Sequence, residues 1–138
     1  MNIIAQNKKA YMEYEILEKF EAGLVLTGEE IKAVRGHRVN LNGTFCRIQN
    51  NQAYTLNMHI SNVTEPERSR KLLLHKTEII SLNSKIEQKG LTLVGLTLYI
   101  KKGKAKLEVG LAKGKKIYDH REDLKKKDLV RQAAREIK

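Results

Sequence analysis

Residues 91–111 constrain the fold more than any other stretch of this chain. Ala105, Leu107, Val109 and Leu111 alternate with Lys104, Lys106 and Glu108, a period of two that predicts a strand with one buried and one wet face. The run before it, from about Leu91 to Ile100, is apolar on both faces around Val94–Leu98, as a central or barrel strand is. Lys102-Gly103 joins the two. Such a strand needs further strands beside it, and the rest of the sequence has to supply them.

Tyr11 to Leu26 mixes Tyr, Ile, Phe, Val and Leu with spaced Glu, and reads as extended structure bent near Gly23. Thr27-Gly28-Glu29-Glu30 fits a capping box, with Thr at the N-cap and Glu three residues on. It predicts a short helix through Ile31 and Val34 to about Arg35, stopped at Gly36. Thr44 to Ile48 is strand-like, Asn50-Asn51 is a turn, and a second strand follows. In it Tyr54, Leu56, Met58 and Ile60 are expected on one face, with Thr55, Asn57 and His59 on the other. Residues 61–70 are polar and end in Arg68-Ser69-Arg70-Lys71, which predicts a surface loop. From Lys76 to Gln88, Ile79, Leu82 and Ile86 recur at helical spacing, and Gly90 ends the helix.

Five or six short antiparallel strands with two inserted helices predict a mainly β domain, a small closed or nearly closed barrel. The length of 138 residues suits one domain, and 41% hydrophobic residues suffice for one core. The single cysteine, Cys46, cannot form an internal disulfide, and the four scattered histidines build no zinc cluster with it. No run approaches the roughly 18 apolar residues of a membrane span, and the N-terminus has no secretory pattern. The expectation is a soluble cytoplasmic protein without metal or cofactor. Cys46, with Phe45 and Ile48 near it in a strand-like stretch, reads as a structural residue. No nucleophile, base or metal set converges, so no enzyme is predicted.

Charge is uneven. Residues 1–100 carry 13 bases and 10 acids, whereas residues 101–138 carry 14 and 6. A nearly neutral body with a cationic appendage points to a polyanion, because each phosphate contact releases condensed counterions. Without tryptophan and with 5% aromatics, a membrane surface is the poorer partner. Ala112-Lys113-Gly114-Lys115-Lys116 lacks the first glycine and the Ser/Thr of a nucleotide-binding loop. With Arg121 it favours simple phosphate contact. Leu72-Leu73-Leu74 follows Arg70-Lys71 directly, which allows one leucine on the rim of an RNA-facing patch. Composition alone does not choose between RNA and DNA.

Phe20-Glu21-Ala22-Gly23-Leu24, Glu30-Ile31-Lys32, Asn57-Met58-His59-Ile60, Arg70-Lys71-Leu72-Leu73-Leu74-His75 and Leu111-Ala112-Lys113-Gly114-Lys115-Lys116 follow one another in that order. Together they resemble the SmpB family, the tmRNA-binding proteins of bacterial trans-translation, from Asn7 to about Lys127. The resemblance implies a six-stranded antiparallel barrel of OB-like topology with two or three flanking helices over residues 1–112, and a basic tail over 113–138. It implies a non-enzymatic factor that binds the tRNA-like domain of tmRNA, one copy per RNA. That factor accompanies tmRNA and elongation factor Tu to stalled ribosomes and places its tail in the empty mRNA channel beyond the decoding centre. A general structured-RNA-binding OB protein, ribosomal or otherwise, is the alternative.

Carried over residue by residue, the resemblance puts Asn7, Lys8, Glu21, Lys71 and Leu73 at the RNA-facing surface. An asparagine can bond base or ribose edges, and a leucine can pack beneath an unstacked base. Glu21 either accepts bonds from base amino groups or a ribose 2′-hydroxyl, or orients a neighbouring cation. Lys113, Gly114, Lys115, Lys116, Asp119 and Arg121 match the junction of barrel and tail, and Lys125, Lys126 and Lys127 add charge for the ribosome. Leu129, Ala133 and Ile137 form too thin a stripe to hold a helix alone, so the free tail is expected to be disordered and to become helical on the ribosome. Three features depart from the family pattern: a short loop at 62–70, His120 in place of a basic residue, and Gly95 where Pro or another residue is common, which bears on strand geometry more than on recognition; the chain also stops a little early at Lys138, which leaves room for a longer native tail.

Overall fold

The computed structural model of the chain describes residues 2–114. In chain order the elements are β1 (Asn2–Gln6), α1 (Lys8–Glu13), β2 (Tyr14–Leu24), α2 (Gly28–Arg35), β3 (Val39–Asn40) and β4 (Phe45–Gln49). They continue with β5 (Gln52–Leu56), β6 (His59–Ile60), β7 (Lys71–Leu73), α3 (Lys76–Lys89), β8 (Thr92–Lys101) and β9 (Lys104–Gly114). Six strands close a ring in the order β8, β4, β5, β7, β2, β9 and back to β8, every pair antiparallel. The expected six-stranded barrel is therefore present. Strand β1 extends the wall by pairing with β8 over Thr97–Ile100, past the point where β4 stops. Strands β3 and β6 form a separate short ribbon.

The two tight hairpins turn on residues that tolerate left-handed backbone. Asn50 and Asn51 have φ of 53° and 60°, and Lys102 and Gly103 have 53° and 78°. Positive φ at both central positions gives the turn twist that matches paired strands. Inside the ring lie Ala22, Ala53, Leu72, Leu93, Leu98, Leu107, Val109 and Leu111, all buried. Helix α3 buries Ile79 and Leu82 and packs Ile86 onto this core. It ends at Gly90, which adopts φ of 64°.

Strand β8 is apolar on both faces because a second small core lies outside the ring. Ala10 of α1 packs there with Val94, Leu96 and Ala112, flanked by Tyr14 and Ile16. Gly110 makes this approach possible: a Cβ at that position would lie 2.7 Å from Leu96 Cδ1 and 3.2 Å from Ile16 Cγ2.

Several expectations are corrected. Tyr11–Glu13 are helical, and the strand starts only at Tyr14, because the Asn7 side chain caps α1 by accepting from Ala10 N. The irregularity in β2 falls between Ile16 and Glu18, while Gly23 is regularly paired with Leu73 and Lys106. The single strand expected over Tyr54–Ile60 breaks at Asn57, whose φ is 63°. The break inverts the facing, so that Ala53 and Thr55 are buried together with Met58 and Ile60, while Tyr54 and Leu56 are only half-buried. Strand β1 had no expectation attached to it. Strand β9 continues to Gly114, so Lys113 and Gly114 belong to the barrel wall and the boundary expected after residue 112 falls inside a strand.

Candidate nucleic-acid interface

Residues two apart in a strand share a face, and the ladder registers bring distant residues together on the outside of the ring. Glu21 and Gly23 share the outer face of β2. Gly23 pairs with Leu73 of β7, and the leucine lies over it: a Cβ on Gly23 would sit 3.3 Å from Leu73 Cδ1. Leu73 is 57% exposed, whereas Leu72 beside it points into the core. Lys71 shares the outer face with Leu73 and is exposed. Three of the expected RNA-facing residues, Glu21, Lys71 and Leu73, thus lie on one continuous surface.

The same surface continues across β9 and β8. Lys106 stands opposite both Gly23 and Tyr99, Glu108 stands opposite Glu21, and Lys104 pairs with Lys101. The Tyr99 hydroxyl donates to Glu21 Oε2, and Lys101 Nζ lies 3.4 Å from the same oxygen. Tyr99, with Lys101 and Lys106 adding their positive charge, holds the Glu21 carboxyl below its ordinary range against a smaller opposing effect of burial. Burial and the neighbouring Glu21 raise the Tyr99 hydroxyl in turn. On the other side of Glu21, Lys19 Nζ lies 5.4 Å from the Tyr11 ring centroid, within cation–π range. Sequence periodicity had placed Lys104 and Lys106 on a wet face. It carried no signal for Tyr99 or Lys101, because both meet Glu21 only through non-local registers.

Asn7 is a correction. It is 1% exposed; its Nδ2 donates to Gly95 O at 2.9 Å and its Oδ1 accepts from Ala10 N at 3.1 Å. With both ends of the amide used, Asn7 fastens α1 to β8 instead of presenting its side chain at the surface. The following Lys8 is exposed in the first turn of α1. Lys113 is also exposed, 3.8 Å from Glu15, and Gly114 pairs with Tyr14. Lys115, Lys116, Asp119, Arg121, Lys125, Lys126 and Lys127 lie outside the described residues.

The two arginines of the basic cluster before Lys71 are tied into the fold through Glu30. Arg70 is 0% exposed. Its guanidinium donates to Glu30 Oε2 at 3.0 Å and to the carbonyls of Met58, Glu65 and Pro66. Arg68 donates to both Glu30 oxygens, at 2.6 and 3.2 Å. Burial alone would raise the Glu30 carboxyl, but the bonds from Arg68, the Thr27 backbone and Arg70 outweigh it and hold the group at about 2.

Cys46 is buried, and burial pushes its thiol up to about 12. Because the thiolate is the reactive form, native protein at about pH 8 is expected to resist iodoacetamide, while urea-unfolded protein reacts readily. Labelling of the native protein at the unfolded rate would contradict this burial. Among the described residues no group of three or more His, Cys, Asp or Glu side chains is placed to hold a metal ion, and no helix is long and apolar enough to cross a membrane.

A closed antiparallel barrel with lysines arrayed over the outside of adjacent strands defines a class, the small basic β-barrel proteins. A family model described as SmpB protein matches residues 4–138. The chain is 55% identical to the SsrA-binding protein of Carboxydothermus hydrogenoformans, in an alignment covering 98% of this chain and 93% of that protein. It is 52% identical to the SsrA-binding protein of Geotalea uraniireducens, with 99% and 95% covered. A chain in the solved structure described as "tmRNA-SmpB: a journey to the center of the bacterial ribosome" superimposes with a TM-score of 0.72 at 44% identity, covering 95% of this chain and 96% of that one. The chain belongs to the SmpB family.

Proposed function

We propose that this protein binds the tRNA-like domain of tmRNA in trans-translation, through the outer face of the barrel that carries Glu21, Lys71 and Leu73. The observation that carries the reading is the gathering of Glu21 with Lys71 and Leu73, 50 and 52 positions further along the sequence, on one exposed surface of an SmpB-family chain. The names SsrA-binding protein and tmRNA-SmpB borne by its relatives support it. In this reading the protein is a cytoplasmic binding factor that catalyses nothing. It acts as one copy per RNA, accompanies tmRNA with elongation factor Tu to a stalled ribosome, and lays the basic residues after Gly114 in the vacant mRNA channel. Lys8 adds charge beside the RNA, and Asn7 contributes by holding α1 in place.

Titration with RNA tests the reading. A tRNA-like domain is expected to bind much more tightly than a simple hairpin of equal length; equal affinity would instead mark a general RNA-binding barrel. Leu73→Ala is expected to weaken binding while leaving the salt dependence unchanged, since its contact is apolar. Lys71→Ala should reduce the slope of log affinity against log salt by somewhat under one unit, as one phosphate contact is lost. Equal slope changes in both variants would refute this division of roles.

A further inference from the structure

Resting on the RNA-binding reading above, we infer that Tyr99 and Lys101 are positioning residues for Glu21, leaving its Oε1 as a single fixed acceptor for a ribose 2′-hydroxyl. Both protein donors meet the same oxygen, Oε2. Among the described residues Oε1 has no hydrogen-bond partner, and the Glu21 side chain is 40% exposed. Tyr99 is itself 6% exposed, so its hydroxyl is held by the packed wall of β8. The carboxylate of Glu21 is thereby fixed in direction as well as in charge.

The chemistry of the surroundings selects the donor. Lys101, Lys104 and Lys106 lie together on the outer faces of β8 and β9, where they attract phosphate. Glu108, opposite Glu21, adds a second negative charge, so phosphate is drawn to the lysine side and a hydrogen-bond donor is needed at Glu21. A base edge with two adjacent N–H groups, such as that of guanine, engages a carboxylate fully only through both oxygens, and here one oxygen is already used. A 2′-hydroxyl offers a single O–H, and it lies along the backbone next to phosphate. An O–H bond to an ionised carboxylate is among the stronger hydrogen bonds, and the 2′-hydroxyl is the group that distinguishes RNA from DNA. Tyr99 and Lys101 thus serve selectivity while Glu21 makes the contact.

The test uses the full chain and a pool of tRNA-like-domain transcripts carrying random single 2′-deoxy substitutions, partitioned by binding and mapped by position. Wild-type protein is expected to disfavour deoxy substitution at one or a few positions, and Glu21→Ala to lose that discrimination at one of them. Tyr99→Phe, which keeps the ring, should weaken discrimination at the same position and lower affinity by about 5-fold. Its thermal midpoint and its pattern at other positions should not change. Lys101→Ala should act at the same position with a smaller effect. In a Glu21→Ala background Tyr99→Phe should not alter affinity further, and Lys101→Ala should cost only the salt-dependent share that its charge contributes. A deoxy pattern unchanged in Glu21→Ala, a wild-type pattern with no sensitive position, or an equal Tyr99→Phe loss with and without Glu21 would each overturn the inference. Failure of wild-type protein to prefer the tRNA-like domain over a hairpin would instead overturn the function on which it rests.

Discussion

Replacing Glu30 with alanine is expected to lower the unfolding free energy by about 3–5 kcal/mol, the usual consequence of stranding a buried charge. Arg70, fully buried, would keep only the carbonyls of Met58, Glu65 and Pro66, and α2 would lose half of its capping box. Urea denaturation measures the change, and a loss below about 1 kcal/mol would show that Arg70 finds water or another partner. The same carboxylate predicts a pH dependence. Its folded value of about 2 lies below the ordinary 4.5, so its contribution is complete above about pH 4.5 and is lost as pH falls toward 2. The shift corresponds to about 3 kcal/mol. The wild type should lose stability across that interval more steeply than Glu30→Ala, and equal slopes would contradict the depressed value.

Deleting residues 119–138 is expected to leave affinity for tmRNA within a few-fold, yet to abolish tagging on stalled ribosomes. The proposed RNA-facing residues all precede the end of the last barrel strand at Gly114. Residues 113–138 hold ten of the chain's 27 basic side chains, a charge density suited to a channel walled by ribosomal RNA. Normal tagging by the truncated protein would reduce this segment to electrostatic attraction alone. Loss of tmRNA binding would make it part of the RNA-binding module.

What could be read from the sequence was what local chemistry decides. The capping box at Thr27 and Glu30 marked the start of α2, Gly36 its end and Gly90 the end of α3, because caps and stops involve residues within one turn. The wet face of Lys104 and Lys106 followed from period two. What failed was decided at a distance. Arg70 looked like a surface cation because its partner, Glu30, is 40 residues away. Asn7 was placed at the surface by the family resemblance, and nothing local opposed that, because the Gly95 carbonyl that takes its amide is 88 residues away. A single positive φ at Asn57 reversed an alternation that the side chains of Tyr54–Ile60 displayed without interruption. Glu21, Lys71 and Leu73 were named only through the family resemblance, and Tyr99, 78 residues from Glu21, was not named at all.

The ladder between β2 and β9 has a mechanical consequence. It runs from Gly23 opposite Lys106 to Tyr14 opposite Gly114, a distance of about 30 Å at the usual strand rise. The end near Leu73 carries the proposed RNA contact, and the other end is the point from which residues 115–138 issue. The barrel wall is therefore a rigid spacer between the proposed RNA contact and the point where the chain leaves the barrel. On the proposed reading, once RNA is seated near Leu73, a site that takes the basic residues after Gly114 meets them at an effective concentration set by this spacing and not by the amount of protein in solution.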